Sequence, residues 1–114
     1  MGVIMNKIGM TWDVKPEHWE EYKEIHLNAA DEWPELLEMF ASKGVHNFQC
    51  FAFKYRIFAY MEIESDDVYK VLQECADTEI KKKWDKKVMP WLKPEASDET
   101  DQTFLEIERI FYSP

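Results

Sequence analysis

A tyrosine and a histidine lie four residues apart in the segment EHWEEYKEIH, residues 17–26. Helical periodicity places Tyr22 and His26 on one face together with Trp19, and turns the glutamates of the segment elsewhere. An imidazole accepts or donates a proton near neutral pH, and a phenol hydrogen-bonds a hydroxyl. The pair therefore has the chemistry for proton transfer on a polyol. The same spacing is also typical of a core-facing tyrosine and a helix-end histidine bonded to backbone carbonyls.

Tryptophan is abundant, with five in 114 residues. Indole faces bind the C–H faces of sugars, and the indole N–H reaches a hydroxyl. Core packing is the commoner use of any single indole, but the excess of rings predicts a cavity or an interface lined with aromatic side chains. The five are Trp12, Trp19, Trp33, Trp84 and Trp91.

Other reaction classes lack their sequence patterns. There is no serine nucleophile elbow, P-loop or GxGxxG motif, and the histidines His18, His26 and His46 form neither HxH nor HExxH. We therefore predict neither a metal site nor a cofactor. The isolated Cys50 and Cys75 match no disulfide framework, and we predict free, buried thiols. The glutamates near Tyr22 fall on outward helix positions, which argues against a glycosidase pair.

The net charge of −9 opposes phosphate backbones and anionic lipid surfaces. We therefore predict no nucleic-acid or membrane partner and expect a neutral small molecule instead. The lysine-rich run KKKWDKK, residues 81–87, is typical of a solvated helix face. No signal-peptide or membrane-spanning pattern is present, which predicts a cytoplasmic protein, and residues 1–114 are expected to form one domain.

Hydrophobic periodicity divides the first half of the chain into five elements. Alternating apolar and polar residues predict that the first element is a strand. Prolines near their first turns predict that the next two elements are helices. A hairpin with Ile57, Ala59, Met61 and Ile63 on one face completes this half. The predicted elements are a strand at 7–14, a helix at 16–28, a helix from Pro34 to a stop at Gly44, and hairpin strands at 46–54 and 56–64.

The sequence of the second half of the chain predicts two more helices and a strand. Ser65, followed by two aspartates, resembles the N-cap of a helix through Cys75. A further helix near Thr78 carries Ile80, Trp84 and Val88 on one stripe, since their spacing is i, i+4, i+8. After a polar loop at 93–102, alternation of apolar residues predicts a strand over 103–112.

The order of these elements predicts an α+β domain with the ferredoxin-like split β-α-β arrangement, an antiparallel sheet with helices on one face. The opposite face of the sheet would be bare, and it is rich in aromatic residues. In such domains a second copy commonly covers this face, so we predict a homodimer, a dimeric α/β barrel.

Six short blocks, in order, resemble the L-rhamnose mutarotase family. They are EEYKEIH, WPEL, HNF, MEIES, VMP and the terminal IFY. The resemblance runs from about Lys7 to the C-terminus. It implies a dimeric ferredoxin-like fold and a cofactor-free interconversion of the α and β anomers of L-rhamnose, or in related members of L-fucose.

The resemblance also implies roles for individual residues. The family's substrate-binding tyrosine and its proposed proton donor fall on Tyr22 and His26. The tyrosine that follows HN in the family is Phe48 here, which removes a hydroxyl, and a Trp-Trp pair is represented by the single Trp84. The hypothesis is that His26 protonates the ring oxygen, Tyr22 positions a sugar hydroxyl, and Trp84 stacks or donates its N–H. The insertion at LNAAD, residues 27–31, is expected to reshape the rim of the pocket.

Two other functions remain open from the sequence. One is another cofactor-free enzyme on the same dimeric barrel, such as a small monooxygenase or a cyclase. The other is a non-catalytic sugar-binding or dimerisation module, in which Phe48 and the lost Trp-Trp pair mark lost activity.

Overall fold

The computed structural model describes residues 4–114; residues 1–3 of the predicted domain lie outside the described residues. Within this range one antiparallel sheet has four strands in the order β2-β3-β1-β4. The strands are β1 (Met5–Asp13), β2 (Val45–Phe53), β3 (Arg56–Glu64) and β4 (Leu105–Ile107). The helices are α1 (Trp19–Leu27), α2 (Ala29–Glu32), α3 (Pro34–Ser42), α4 (Val68–Ala76) and α5 (Glu79–Val88). The predicted α+β, ferredoxin-like arrangement is thereby confirmed.

The hairpin of β2 and β3 creates the inner face of the sheet. Side chains alternate across a strand, so every second residue of β3 points toward the helices. Ile57, Ala59, Met61 and Ile63 are all buried, as predicted. Full burial of an Ile or Met side chain contributes about 1.5–3 kcal/mol to stability. This row therefore anchors the helix layer to the sheet.

Helices α1 and α5 begin where the sequence places their start signals. Pro16 opens a short 3₁₀ turn that leads into α1. Thr78 caps α5 by accepting a hydrogen bond from the backbone N–H of Lys81. The stripe predicted on α5 faces the core, with Trp84 and Val88 buried and Ile80 packed against them. Helix α1 carries Tyr22 and His26, and α5 carries Trp84.

The N-cap of α4 differs from the prediction. Asp67, not Ser65, caps the helix, and its side chain accepts from the backbone N–H of Lys70. Ser65 instead accepts from the backbone N–H of Asp67. Serine and aspartate both bond nearby backbone groups in turns, so the sequence offers two competing caps, and the acidic one is used.

The predicted C-terminal strand over 103–112 is mostly wrong. Only Leu105–Ile107 pair with β1, where Gly9 leaves room for the Ile107 side chain. Beyond Ile107 the chain leaves the sheet, and Ile110 and Phe111 are exposed. Alternating apolar residues stabilise a strand only when another surface covers their side chains. Within the described residues of one chain, no such surface covers Ile110 or Phe111.

The outer face of the sheet carries an exposed apolar patch. Phe51 of β2 pairs with Phe58 of β3, and both are exposed, as is Phe53. Ile107 extends the exposed apolar surface onto β4.

Among the described residues, no helix is long and apolar enough to cross a membrane.

Candidate active site

Helix α1 brings Tyr22 and His26 together, as their spacing predicts. Their ring centroids lie 4.2 Å apart with 31° between the planes. Tyr22 is only 4% exposed, whereas His26 is half-buried. Both side chains therefore lie at the inner surface of the helix layer, with His26 nearer to water.

The hydrogen bond of His26 to the backbone identifies its tautomer. Nδ1 lies 2.7 Å from the carbonyl oxygen of Tyr22. A carbonyl oxygen only accepts, so Nδ1 carries a proton, and the neutral ring has its lone pair on Nε2. Nε2 has no hydrogen-bond partner within residues 4–114, and no fully buried side-chain nitrogen or oxygen in that range lacks one. Nε2 is therefore accessible from outside the protein.

Burial favours the neutral form of His26. Desolvation lowers the pKa of the imidazole below its ordinary value of 6.5, and the hydrogen bond to the Tyr22 carbonyl opposes this shift. At neutral pH the ring is mostly uncharged. The lone pair of its Nε2 is then a proton acceptor.

Tyr22 is fixed by a hydrogen bond from the sheet. The indole Nε1 of Trp12 donates to the Tyr22 hydroxyl oxygen at 2.8 Å. Desolvation raises the pKa of the phenol well above its ordinary value, with the bond from Trp12 opposing and the nearby Cys50 thiol adding to the shift. Tyr22 therefore stays protonated and can donate its hydroxyl hydrogen.

Trp84 forms a wall beside the histidine. Its ring meets His26 edge to face at 5.0 Å and Trp33 at 5.2 Å. Trp84 is 8% exposed, so most of its surface serves packing. Its N–H has no hydrogen-bond partner in the described part of the chain, and by the same burial argument that atom reaches accessible space. The N–H is therefore not fully buried.

The helices leave the inner face of β2 uncovered at Cys50 and Ala52, and this open area is called the recess. Cys50 and Ala52 pair with Ala59 and Ile57, so they point toward the helix side, yet both are exposed. The prediction that Cys50 is buried is therefore wrong, because the helix layer does not fully cover β2; Cys75 is buried as predicted. Desolvation nevertheless raises the pKa of the Cys50 thiol to about 11.

Phe48 stands apart from the other three predicted site residues. It packs edge to face on Phe40 of α3, with centroids 5.3 Å apart, and keeps 37% of its surface exposed. It follows Asn47, which has a φ of 49°, at an irregularity in the β2–β3 pairing. Among the described residues, no aromatic contact joins Phe48 to Tyr22, His26 or Trp84. Phe48 is on β2, the strand that borders the recess.

Three residues at the site have no individual role predicted from the sequence. Trp12 bonds the Tyr22 hydroxyl, Trp33 packs on Trp84, and Cys50 lines the recess. The alternation of Ile8, Met10 and Trp12 on β1 indicates that Trp12 faces the helices. The contact with Tyr22 is tertiary, and no pattern within either segment specifies it.

The site combines neutral donors and acceptors in an aromatic setting. It presents an imidazole lone pair, a phenol hydrogen and an indole N–H, next to an apolar wall. Residues 4–114 contain no group of three or more His, Cys, Asp or Glu side chains arranged to hold a metal ion. Such an arrangement is suited to moving protons on a neutral, hydroxylated molecule.

Comparison with solved structures supports the fold. An L-rhamnose mutarotase from Formosa agariphila superposes with a TM-score of 0.70 at 22% identity, covering 96% of this chain and 99% of that chain. Tetracenomycin F2 cyclase from Streptomyces glaucescens superposes with a TM-score of 0.64 at 18% identity, over 96% and 99% of the two chains. At these identities the likeness concerns the fold alone.

Comparison of sequences shows the family. The L-rhamnose mutarotase family model matches residues 7–113. The L-rhamnose mutarotase of Bacillus subtilis is 31% identical over 101 residues, covering 87% of this chain and 89% of its own length. That of Tolumonas auensis is 37% identical over 105 residues, with the same coverage of both chains. The chain therefore belongs to the L-rhamnose mutarotase family.

Proposed function

We propose that the protein is an isomerase that interconverts the α and β anomers of a free 6-deoxy sugar, L-rhamnose or its relative L-fucose. The observation that carries the proposal is the accessible Nε2 of His26, whose tautomer is fixed by the bond from Nδ1 to the Tyr22 carbonyl. Membership of the family supports L-rhamnose as the first sugar to test.

Anomer exchange requires a proton to move between two oxygens on one carbon. Nε2 of His26 removes the proton of the anomeric hydroxyl while the bond from the anomeric carbon to the ring oxygen breaks, and its electron pair goes to the ring oxygen. The imidazolium then gives the same proton to the ring oxygen, which leaves a hydroxy-aldehyde. Rotation about the C1–C2 bond and the reverse steps produce the other anomer. No cofactor takes part in these steps.

This order refines the role of His26 that the sequence suggests. Donation of a proton to the ring oxygen is the second half of the sequence of steps, and acceptance through Nε2 comes first. The first half is supported by the Nδ1-protonated tautomer and by the low pKa of the ring. Both oxygens are bonded to the anomeric carbon, so one nitrogen can serve them in turn.

The other predicted site residues bind the sugar in this proposal. Tyr22 donates its hydroxyl hydrogen to a sugar oxygen, and Trp84 offers its ring edge and N–H beside His26. Phe48 offers an apolar surface where the family resemblance implies a tyrosine hydroxyl. An apolar ring there suits a C–H face or a methyl group of the sugar.

Proton NMR exchange spectroscopy on the anomeric signals tests the proposal. The protein is added in catalytic amount to L-rhamnose, L-fucose and several other free sugars, and the α/β exchange rate is measured for each. We expect acceleration for L-rhamnose or L-fucose above the buffer-catalysed rate. Absence of acceleration for every sugar would contradict the proposed function.

The pH dependence of the reaction follows from the pKa of His26. The proposed base is the neutral imidazole of His26, and the pKa of this group in the folded protein lies below 6.5. We therefore expect kcat/KM to fall as the pH drops through that pKa. We expect a flat profile across neutral pH and a decline only on the acid side, after subtraction of the uncatalysed rate. A rate that rises as the pH falls would instead indicate that the imidazolium acts first as a donor.

A sugar-binding module without activity is the second candidate. It is favoured by Phe48, which lacks the hydroxyl that the family resemblance implies at this position. Such a module would bind L-rhamnose without accelerating anomer exchange. The rate measurement therefore separates the two candidates.

The exposed aromatic face of the sheet supports a homodimer as part of the proposal. Phe51 and Phe53 are 63% and 70% exposed, and an apolar patch of this kind marks an interaction surface. A second copy offers the same apolar surface, and two-fold pairing lets each copy cover the other. This arrangement is the dimeric α/β barrel that the resemblance implies.

Placing a charge on this face is expected to separate the two copies. In Phe51→Glu the carboxylate would be buried without a partner in the dimer interface. In sedimentation velocity experiments we therefore expect this variant to be a monomer at concentrations where the wild type is a dimer. Leu37→Glu, an exposed position on α3, is the matched control and should leave the dimer intact. A wild type that sediments as one chain would contradict the dimer.

A further inference from the structure

We infer that Trp12 is a positioning residue for the sugar: its indole N–H occupies the Tyr22 oxygen and thereby directs the Tyr22 hydroxyl hydrogen toward the substrate. The inference rests on the proposed mutarotase function. It assigns a role to a residue that neither the motif blocks nor the spacing of Tyr22 and His26 singles out.

The geometry around Trp12 holds its N–H in one direction. Trp12 lies on β1, is 7% exposed, and is paired through the backbone with Ile57 of the neighbouring strand. Phe104 meets its ring edge to face at 5.1 Å. An indole has a single polar hydrogen, and here that hydrogen goes to the Tyr22 hydroxyl oxygen at 2.8 Å. The sheet therefore fixes the atom that bonds to Tyr22.

The direction of this bond decides what the Tyr22 hydroxyl can do. An indole N–H only donates, so Tyr22 cannot return its own hydrogen to Trp12. Within residues 4–114 the Tyr22 hydroxyl hydrogen has no acceptor, and the side chain is only 4% exposed. A buried donor without a partner is costly, and a sugar oxygen would satisfy it. Tyr22 thus offers a directed hydrogen, and its ring centroid lies 4.2 Å from that of His26.

A merely structural role for Trp12 makes different predictions. If Trp12 only packed β1 against α1, loss of its N–H would lower stability. The hydrogen bond between Tyr22 and the sugar would then be unchanged. Trp19 allows this comparison, because its ring lies nearly parallel to that of Tyr22, with centroids 6.3 Å apart, and no hydrogen bond joins it to the hydroxyl in the described part of the chain. Trp19→Phe therefore removes an indole next to Tyr22 without touching the proposed bond.

A double-mutant cycle tests the inference. Trp12→Phe and Tyr22→Phe are each expected to raise the KM for the sugar about threefold to tenfold, which corresponds to one lost hydrogen bond, while kcat changes by less than about twofold. The double variant should show no further rise, because both substitutions remove one interaction. Trp19→Phe should keep the wild-type KM.

A second replacement separates the N–H from the size of the ring. Substituting Trp12 by 3-benzothienylalanine keeps the shape of indole but puts sulfur in place of the N–H, so folding is preserved even where phenylalanine leaves a cavity. We expect this protein to reproduce the raised KM. A wild-type KM here, or additive effects of Trp12→Phe and Tyr22→Phe, would overturn the role of Trp12 while the mutarotase function stands. A wild type that accelerates no sugar would overturn the proposed function, and this inference with it.

Discussion

Replacing His26 with asparagine is expected to lower the catalysed anomer exchange rate by about 10²–10⁴-fold, the usual contribution of general acid–base catalysis. The asparagine side-chain amide can still donate to the Tyr22 carbonyl, as Nδ1 of His26 does at 2.7 Å. It lacks any counterpart of Nε2. Asparagine and histidine also have similar helix propensities, so α1 should remain intact. The loss would therefore report the missing proton acceptor and not an unfolded helix.

His18→Asn is the matched control for this experiment. His18 lies in the turn before α1 and stacks on Trp91, with ring centroids 6.2 Å apart. We expect its exchange rate to equal that of the wild type. Thermal unfolding of both variants checks that the fold is kept. Wild-type exchange in His26→Asn would remove His26 from the mechanism.

Replacing Trp84 with alanine is expected to lower the free energy of unfolding by about 3–5 kcal/mol, since a buried indole is lost and a cavity is left behind. Trp84 is 8% exposed and supports both His26 and Trp33 through edge-to-face contacts. Denaturant unfolding measures the change. Trp84→Phe should cost less because it keeps an aromatic ring, while it removes the N–H proposed to bind the sugar.

Lys83→Ala provides the comparison on the same helix. Lys83 precedes Trp84 but is exposed, so its removal should change the free energy of unfolding by less than about 0.5 kcal/mol. A loss below about 1 kcal/mol in Trp84→Ala would contradict the view that Trp84 is a packed wall of the site.

Local periodicity was sufficient to predict the elements that bury one clear face. The inward row of β3 from Ile57 to Ile63 and the stripe of α5 containing Trp84 are both buried as predicted. In each case the repeat of apolar residues matches the repeat of the element. The approach of Tyr22 to His26 follows for the same reason, since a helical turn separates them.

Features that depend on distant segments could not be predicted in this way. The alternation over 103–112 continues past Ile107, but the pairing with β1 does not. Cys50 has the residue type and strand position of a core residue, yet the helices leave it exposed. The bond from Trp12 to Tyr22 joins a strand to a helix, and only the folded chain brings those two atoms together.

The fold by itself does not decide between an isomerase and other enzymes. A polyketide cyclase shares the same architecture, so the chemistry must come from the side chains in the recess. Here those side chains are an imidazole with a fixed tautomer, a protonated phenol and an indole N–H. They are suited to neutral proton transfer.

The most direct test measures binding and exchange of L-rhamnose in the same samples. Proton NMR gives the α/β exchange rate from the anomeric signals, and titration of protein resonances gives the affinity. We predict that the wild type accelerates exchange at catalytic concentration, and that His26→Asn binds the sugar but does not accelerate exchange. Binding by the wild type without acceleration would contradict the proposed isomerase activity and would identify the protein as a sugar-binding module.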